Sequence, residues 1–118
     1  IIDKNIPLLK KAIPAYPNQI EKAIKRNDIV TVNHRVAAFL ASYFEVIFAL
    51  NRIPNPGEKR MLENVKNLCK TVPDNMEEDI HIMISLASRI NPELIDVLVE
   101  MADNLEKIVS TDIHLQRV

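Results

Sequence analysis

The sequence predicts an all-α fold, a bundle of about five to six helices around one buried central helix at about residues 28–52. The chain has a single glycine, Gly57, in 118 residues, whereas a sheet protein of this size needs several for its turns and bulges. No segment alternates apolar and polar side chains over a useful length, and apolar residues recur instead at spacings of three and four. That spacing is typical of helices packed in a bundle.

The composition indicates one helical domain covering residues 1–118. Hydrophobic residues make up 47% and charged residues 26%, which are ordinary values for a globular chain and argue against a disordered tail. Cys69 stands alone, so there is neither a disulfide framework nor a cysteine zinc site, and we expect a reducing, cytoplasmic setting. Because the chain opens on Ile-Ile-Asp without an initiator methionine, we expect it to be the C-terminal part of a longer protein.

The apolar run from Val36 to Leu50 forms most of the central helix. It spans 15 residues, contains Glu45, and is bracketed by Arg35 and Arg52. A bilayer-spanning helix needs about 20 apolar residues, so we predict a buried core helix and exclude a membrane as partner.

Caps and prolines mark the predicted helix ends. Asn27-Asp28 breaks the chain and caps the central helix, and Asn55-Pro56 and Asn91-Pro92 open the fourth and sixth helices. Pro73 ends the fourth helix and Asp74 caps the fifth. The first two predicted helices cover about Ile6–Ile13 and Pro17–Asn27.

One side of the central helix carries only small or charged residues. At 100° per residue they fall within a sector of about 120°. Two interpretations remain open: another helix packs closely on this stripe and Glu45 pairs with Arg35, Arg52 or a lysine, or the stripe is the wall of a groove in which Glu45 and the two arginines face a ligand. The stripe consists of Arg35, Ala38, Ala41, Ser42, Glu45, Ala49 and Arg52.

Charge is unevenly distributed along the chain. Residues 1–35 carry seven basic and three acidic side chains, whereas residues 74–118 carry three basic and ten acidic ones. Either end could steer a partner of opposite charge, or both could be solvated helix faces.

Motifs for independent catalysis or metal binding are absent from the sequence. His34, His81 and His114 fall on different predicted helices, so no metal site is predicted. Cys69 lies on the apolar stripe of the fourth helix, where a small core residue is expected. There is no Gly-rich phosphate loop and no Gly-x-Ser-x-Gly elbow, and aromatic residues make up 4%, which argues against nucleic acid as a partner.

The segment from Tyr43 to Arg52, followed by Pro54 or Pro56 and Gly57-Glu58-Lys59, resembles part of a known family. It is similar to the helical C-terminal domain of an uncharacterised prokaryotic family in the nucleotidyltransferase superfamily. The resemblance covers about residues 26–73. It implies a substrate-binding domain like that of kanamycin nucleotidyltransferase, which packs beside a catalytic α/β domain and helps to hold the acceptor.

That superfamily binds Mg²⁺ and a nucleoside triphosphate through a Gly-Ser pair and an Asp-x-Asp motif, and this chain contains neither. The resemblance therefore implies that catalysis, Mg²⁺ and the nucleotide belong to an N-terminal catalytic domain outside this chain, and that this chain needs no cofactor of its own.

The resemblance carries Glu45, Asn51, Arg52 and Lys59 over as candidates for lining the interdomain cleft. The stripe adds Arg35 to these candidate substrate-binding residues. A general-base role for Glu45 is implied by a glutamate of the kanamycin enzyme. Structural roles stay open beside these: Asn51 as a helix C-cap, Arg52 as a partner of the last carbonyls, and Lys59 as a solvated side chain.

The leading hypothesis is a substrate-binding helical domain of a nucleotidyltransferase, partnered by its catalytic domain and a small-molecule acceptor. The runner-up is a stand-alone helical interaction module, such as a homodimer. A third hypothesis is a phosphate or nucleic-acid binder that uses the basic N-terminal third.

Overall fold

The computed structural model describes residues 16–116, and for residues 112–116 it describes the backbone only. This part of the chain contains five helices and no strand, which confirms the all-α prediction. The predicted helix at Ile6–Ile13 lies outside the described residues. The helices are α1 (Tyr16–Lys25), α2 (Ile29–Leu50), α3 (Met61–Leu68), α4 (Met76–Ala87) and α5 (Glu93–Gln116).

Helix α2 is the central element, as predicted. It packs against each of the other four helices, and α1 and α4 also pack on α5. Its buried side carries both aromatic and aliphatic side chains, and the rings of Phe39 and Tyr43 stack there with centroids 6.2 Å apart. The core residues that α2 contributes are Val32, Val36, Phe39, Tyr43, Phe44, Val46, Ile47, Phe48 and Leu50.

The joint between α1 and α2 is formed by the predicted pair Asn27-Asp28. Asn27 takes a left-handed φ of 57°, and the Asp28 amide donates to the Ala23 carbonyl at 3.0 Å, which ends α1 in a Schellman motif. Asp28 then caps α2, because its Oδ1 accepts the Thr31 amide at 3.2 Å. Hydrogen bonds from Thr31, followed by the nearby Arg26, lower the pKa of the Asp28 carboxyl.

The predicted starts of the next two helices are wrong. Helix α3 begins at Met61 rather than Pro56, after Arg60 in a left-handed conformation, and ends at Leu68, before Pro73. Helix α4 follows Asn75, which is also left-handed and makes no side-chain cap bond, so Asp74 does not cap it. In both loops a left-handed residue turns the chain into the helix without a side-chain cap.

The Asn91 cap of α5 is confirmed, since Asn91 Oδ1 accepts the Glu93 amide at 2.9 Å. Two large apolar residues, Leu68 on α3 and Ile84 on α4, are exposed, at 46% and 52%. None of the helices in the described part of the chain combines the length and the apolar character that crossing a bilayer requires.

Candidate functional site

A groove runs between α2 and the segment that leads into α3. One wall is the solvent-facing side of α2, where Ala37 and Ala41 are exposed and leave space. The other wall is the loop after α2 and the first residue of α3. The groove has a volume of about 650 Å³, and its lining residues are Ala37, Leu40, Ala41, Phe44, Glu45, Asn55, Gly57, Glu58 and Met61. We call it the α2–α3 groove.

The two walls of the groove are joined by Asn55. Its Nδ2 donates a hydrogen bond to Glu45 Oε1, while its Oδ1 accepts the Gly57 amide at 2.9 Å. Gly57 has a φ of +104°, and a Cβ there would have no neighbour within 4 Å. Position 57 therefore favours glycine because of its backbone conformation and not because of a close contact. The Asn55 turn thus orients the Glu45 carboxylate from across the groove.

The groove carries negative charge on an apolar surface. Glu45 and Glu58 are the acidic residues of its lining, which contains no lysine, arginine or histidine. Leu40 and Met61 are partly buried and Phe44 is buried, so the carboxylate of Glu45 lies beside apolar side chains. Among the ion pairs of the described residues, none includes Glu45.

The structure agrees only in part with the two interpretations of the small-residue stripe. Glu45 is held by Asn55, not by Arg35, Arg52 or a lysine of the described chain. The stripe does form a groove wall through Ala41 and Glu45, but the two arginines are absent from its lining.

Asn51 has the structural role that we left open for it. It is the C-cap of α2, and its side chain hydrogen bonds to both backbone groups of Thr71. Asn51 itself is not left-handed, because its φ is −85°. The next residue, Arg52, takes the left-handed conformation instead, with a φ of 57°.

Arg52 and Lys59 are both exposed and do not line the groove. Arg52 occupies the position after the C-cap, with its amide donating to Ala49 and the Ile53 amide donating to Phe48. Lys59 lies in the loop before α3, and its carbonyl accepts a hydrogen bond from Asn64 Nδ2 at 3.2 Å.

Arg35 is separated from the groove. It precedes Glu45 by ten residues on the same helix, which corresponds to about 15 Å along the axis. It lines a different, basic pocket with side chains of α1. The structure therefore brings one predicted site residue, Glu45, into the groove and leaves the other four outside its lining.

Most residues of the groove lining are not among the predicted site residues. Asn55 is predicted as a helix cap, whereas in the structure it lines the groove together with Leu40 and Met61. The one usable signal was the pair Asn55 and Gly57, since an asparagine two residues before a glycine also favours a turn.

Over the described residues, no group of three or more histidine, cysteine, aspartate or glutamate side chains is placed to hold a metal ion. Comparison of the chain with protein-family models, curated proteins and solved structures finds no match.

Proposed function

We propose that this chain is a substrate-binding helical domain and that the α2–α3 groove holds a small organic cation with an apolar body. The observation that carries the proposal is the Glu45 carboxylate, which lies on the apolar wall of the groove and is oriented by Asn55 across it.

The lining of the groove favours a cation over other small molecules. An ammonium group would pair with Glu45, and Glu58 adds a second negative charge to the same lining. Glu45 is only partly exposed, so a charge pair there is screened less than one on the open surface. Leu40, Phe44 and Met61 would contact the apolar part of the ligand, at about 0.8 kcal/mol for each buried methylene.

The parent protein is, in this proposal, a nucleotidyltransferase. The resemblance of residues 26–73 supports this assignment. Its catalytic domain would bind Mg²⁺ and the nucleoside triphosphate, and the groove would present the acceptor to it. A carboxylate beside an acceptor amine or hydroxyl has the chemistry of a general base, and that role for Glu45 is part of the same proposal. An in-frame upstream Gly-Ser and Asp-x-Asp segment is the expected genomic observation, and a start codon immediately before Ile1 would contradict it.

Binding by the groove is tested directly with three probes of one shape: hexylammonium, hexanol and hexanoate. Titrations of isotopically labelled protein, followed by amide NMR shifts, are expected to rank hexylammonium first, hexanol second and hexanoate last. The shifts are expected at groove residues such as Ala41 and Gly57.

The decisive variant is Glu45→Gln, which keeps the hydrogen-bonding shape of the side chain and removes its charge. It is expected to abolish most of the preference for hexylammonium over hexanol, since only Glu58 then remains as an acidic residue in the lining. The matched control is Glu63→Gln, which removes the same charge from an exposed position on α3 outside the groove. If the control abolished the preference equally, the selectivity would come from overall charge and the proposal would fail.

A second candidate function, an interaction module, is favoured by exposed apolar residues at one end of α2 and α4. Asn33 Nδ2 donates to the Ala87 carbonyl at 3.1 Å, which joins the first turns of α2 to the end of α4. Nearby on these helices, Val30 is 76% exposed and Ile84 is 52% exposed. A homodimer through this face predicts concentration-dependent sedimentation that Val30→Ser abolishes. A strictly monomeric chain would exclude it.

A further inference from the structure

A second pocket, distinct from the α2–α3 groove, lies between the C-terminal half of α1 and the first turns of α2. It has a volume of about 250 Å³ and is lined by polar side chains that include three cations and no carboxylate. One turn of α1, the residue that follows α1 and one turn of α2 contribute these side chains, since residues three or four apart share a helix face. The lining residues are Gln19, Lys22, Arg26, Thr31 and Arg35.

Of the three cations that line this pocket, Arg26 pairs with a carboxylate of the described chain, and Lys22 and Arg35 do not. Arg26 Nε donates to Asp28 Oδ2 at 3.3 Å, and that carboxylate is the N-cap of α2. Over the described residues, the ion pairs include neither Lys22 nor Arg35. The neighbouring Lys25 is paired with Glu21 at 3.7 Å. The pocket therefore keeps an excess of positive charge.

The geometry of the surrounding helices adds to this charge. The first turn of α2 contains no acidic residue, so the positive end of its dipole is offset there only by the Asp28 cap. Arg35 lies one turn beyond Thr31 and is partly buried, which restricts the directions in which its guanidinium can point. A guanidinium fork, an ammonium and a hydroxyl donor together match the oxygens of a phosphate group.

We propose that this pocket binds a phosphate dianion, either as inorganic phosphate or as the phosphoryl group of a small phosphomonoester. The proposal does not rest on the groove or on the nucleotidyltransferase assignment. A nucleic-acid strand is a different class of ligand. It fits less well because the acidic residues of 74–118 would repel a long polyanion.

The test titrates the labelled protein with inorganic phosphate and with phenyl phosphate against potassium chloride of equal ionic strength. Saturable amide shifts are expected for residues 19–35. The two probes separate the sources of the group: tighter binding of phenyl phosphate indicates a phosphomonoester, and equal binding indicates recognition of the phosphate alone. Lys22→Ala and Arg35→Ala are each expected to raise the dissociation constant about tenfold, the size expected for one lost charged hydrogen bond.

Lys25→Ala is the matched control, because it removes the same charge from the same helix outside the pocket. It is expected to change the dissociation constant by less than about twofold, as a screened surface charge does. Glu45→Gln is expected to leave phosphate binding unchanged, so this proposal and the groove proposal can fail separately. If Arg35→Ala did not fold, the test would compare Lys22→Ala, at an exposed position, with Lys25→Ala.

Three results would overturn the proposal. The first is an equal loss of affinity in Lys22→Ala and Lys25→Ala, which indicates diffuse attraction. The second is the absence of saturable shifts with either phosphate. The third is tighter binding of a short DNA duplex than of either phosphate, with the steep salt dependence of a polyelectrolyte.

Discussion

Asn51 binds both backbone groups of Thr71 with one side chain. Its Nδ2 donates to the Thr71 carbonyl at 2.7 Å, and its Oδ1 accepts the Thr71 amide at 2.9 Å. The same Nδ2 donates to the Ile47 carbonyl at 2.8 Å. The end of α2 is thereby fastened to the segment that follows α3, so these contacts help to fix the helix that begins with Met61 of the groove.

Asn51→Ala is expected to lower the free energy of unfolding by about 2–3 kcal/mol, because it removes three hydrogen bonds at roughly 1 kcal/mol each. Urea unfolding followed by far-UV circular dichroism measures this loss. Asn67→Ala is the matched control, since Asn67 is an exposed asparagine on α3, and it is expected to cost far less. Equal losses in the two variants would show that the contacts with Thr71 contribute little.

Helix ends that depend on neighbouring residues could be predicted from the sequence. Asp28 accepts an amide three residues away and Asn91 accepts one two residues away, so each cap is encoded locally. Asn55 makes the same local bond as Asn91, because its Oδ1 accepts the Gly57 amide. Gly57, however, takes a φ of +104°, which an α-helix does not contain, and α3 therefore begins later than predicted.

The candidate site was predictable to the same extent. Helical periodicity identified the small-residue side of α2 and placed Glu45 on it. Which part of that side faces a groove depends on the path of the loop from residue 51 to residue 60. Similarly, the role of Asn51 depends on Thr71, twenty residues away. Arg35 lines a different pocket because it lies beside α1.

Arg52→Gly is expected to stabilise the protein. Arg52 occupies the left-handed position of a Schellman motif, where the Ile53 amide donates to the Phe48 carbonyl at 3.0 Å. The left-handed conformation costs a residue with a Cβ roughly 1–2 kcal/mol, and glycine gives back part of this gain through the entropy of the unfolded chain. We expect the free energy of unfolding, measured by thermal unfolding, to rise by about 0.5–1 kcal/mol.

The control for this prediction is Arg52→Ala, which removes the same guanidinium without relieving the backbone. It is expected to give no gain. An equal gain in Arg52→Ala and Arg52→Gly would show that the stabilisation does not come from the backbone conformation.

Asp79→Asn is expected to stabilise the protein at neutral pH and less so at acidic pH. Asp79 is 9% exposed. Burial, followed by the charges of Glu100 and Glu78, raises the pKa of its carboxyl. A carboxyl whose pKa is higher in the folded than in the unfolded state stabilises the fold at a pH below its unfolded-state pKa. This contribution to the unfolding free energy is lost as the pH rises through the folded-state pKa. The ionised form of Asp79 is therefore disfavoured in the folded chain, and asparagine mimics the protonated form.

The measurement is the difference in unfolding free energy between Asp79→Asn and the parent chain, from pH 4 to pH 7. The difference is expected to grow with pH. Asp74→Asn, at an exposed position just before α4, serves as the control for the removal of one carboxylate. The opposite slope for Asp79→Asn would mean that the folded chain stabilises this carboxylate.

Ala41→Leu is expected to block the α2–α3 groove without disturbing the fold. Ala41 is exposed on the groove wall, and leucine is nearly as good a helix former as alanine. The unfolding free energy should therefore change by no more than about 0.5 kcal/mol, while the added side chain occupies the space beside Glu45. Ser110→Leu places the same side chain at an exposed site on α5 and should leave hexylammonium binding intact. Because Ala41→Leu leaves both carboxylates in place, a loss of binding would show that the shape of the groove contributes to recognition beyond its charge.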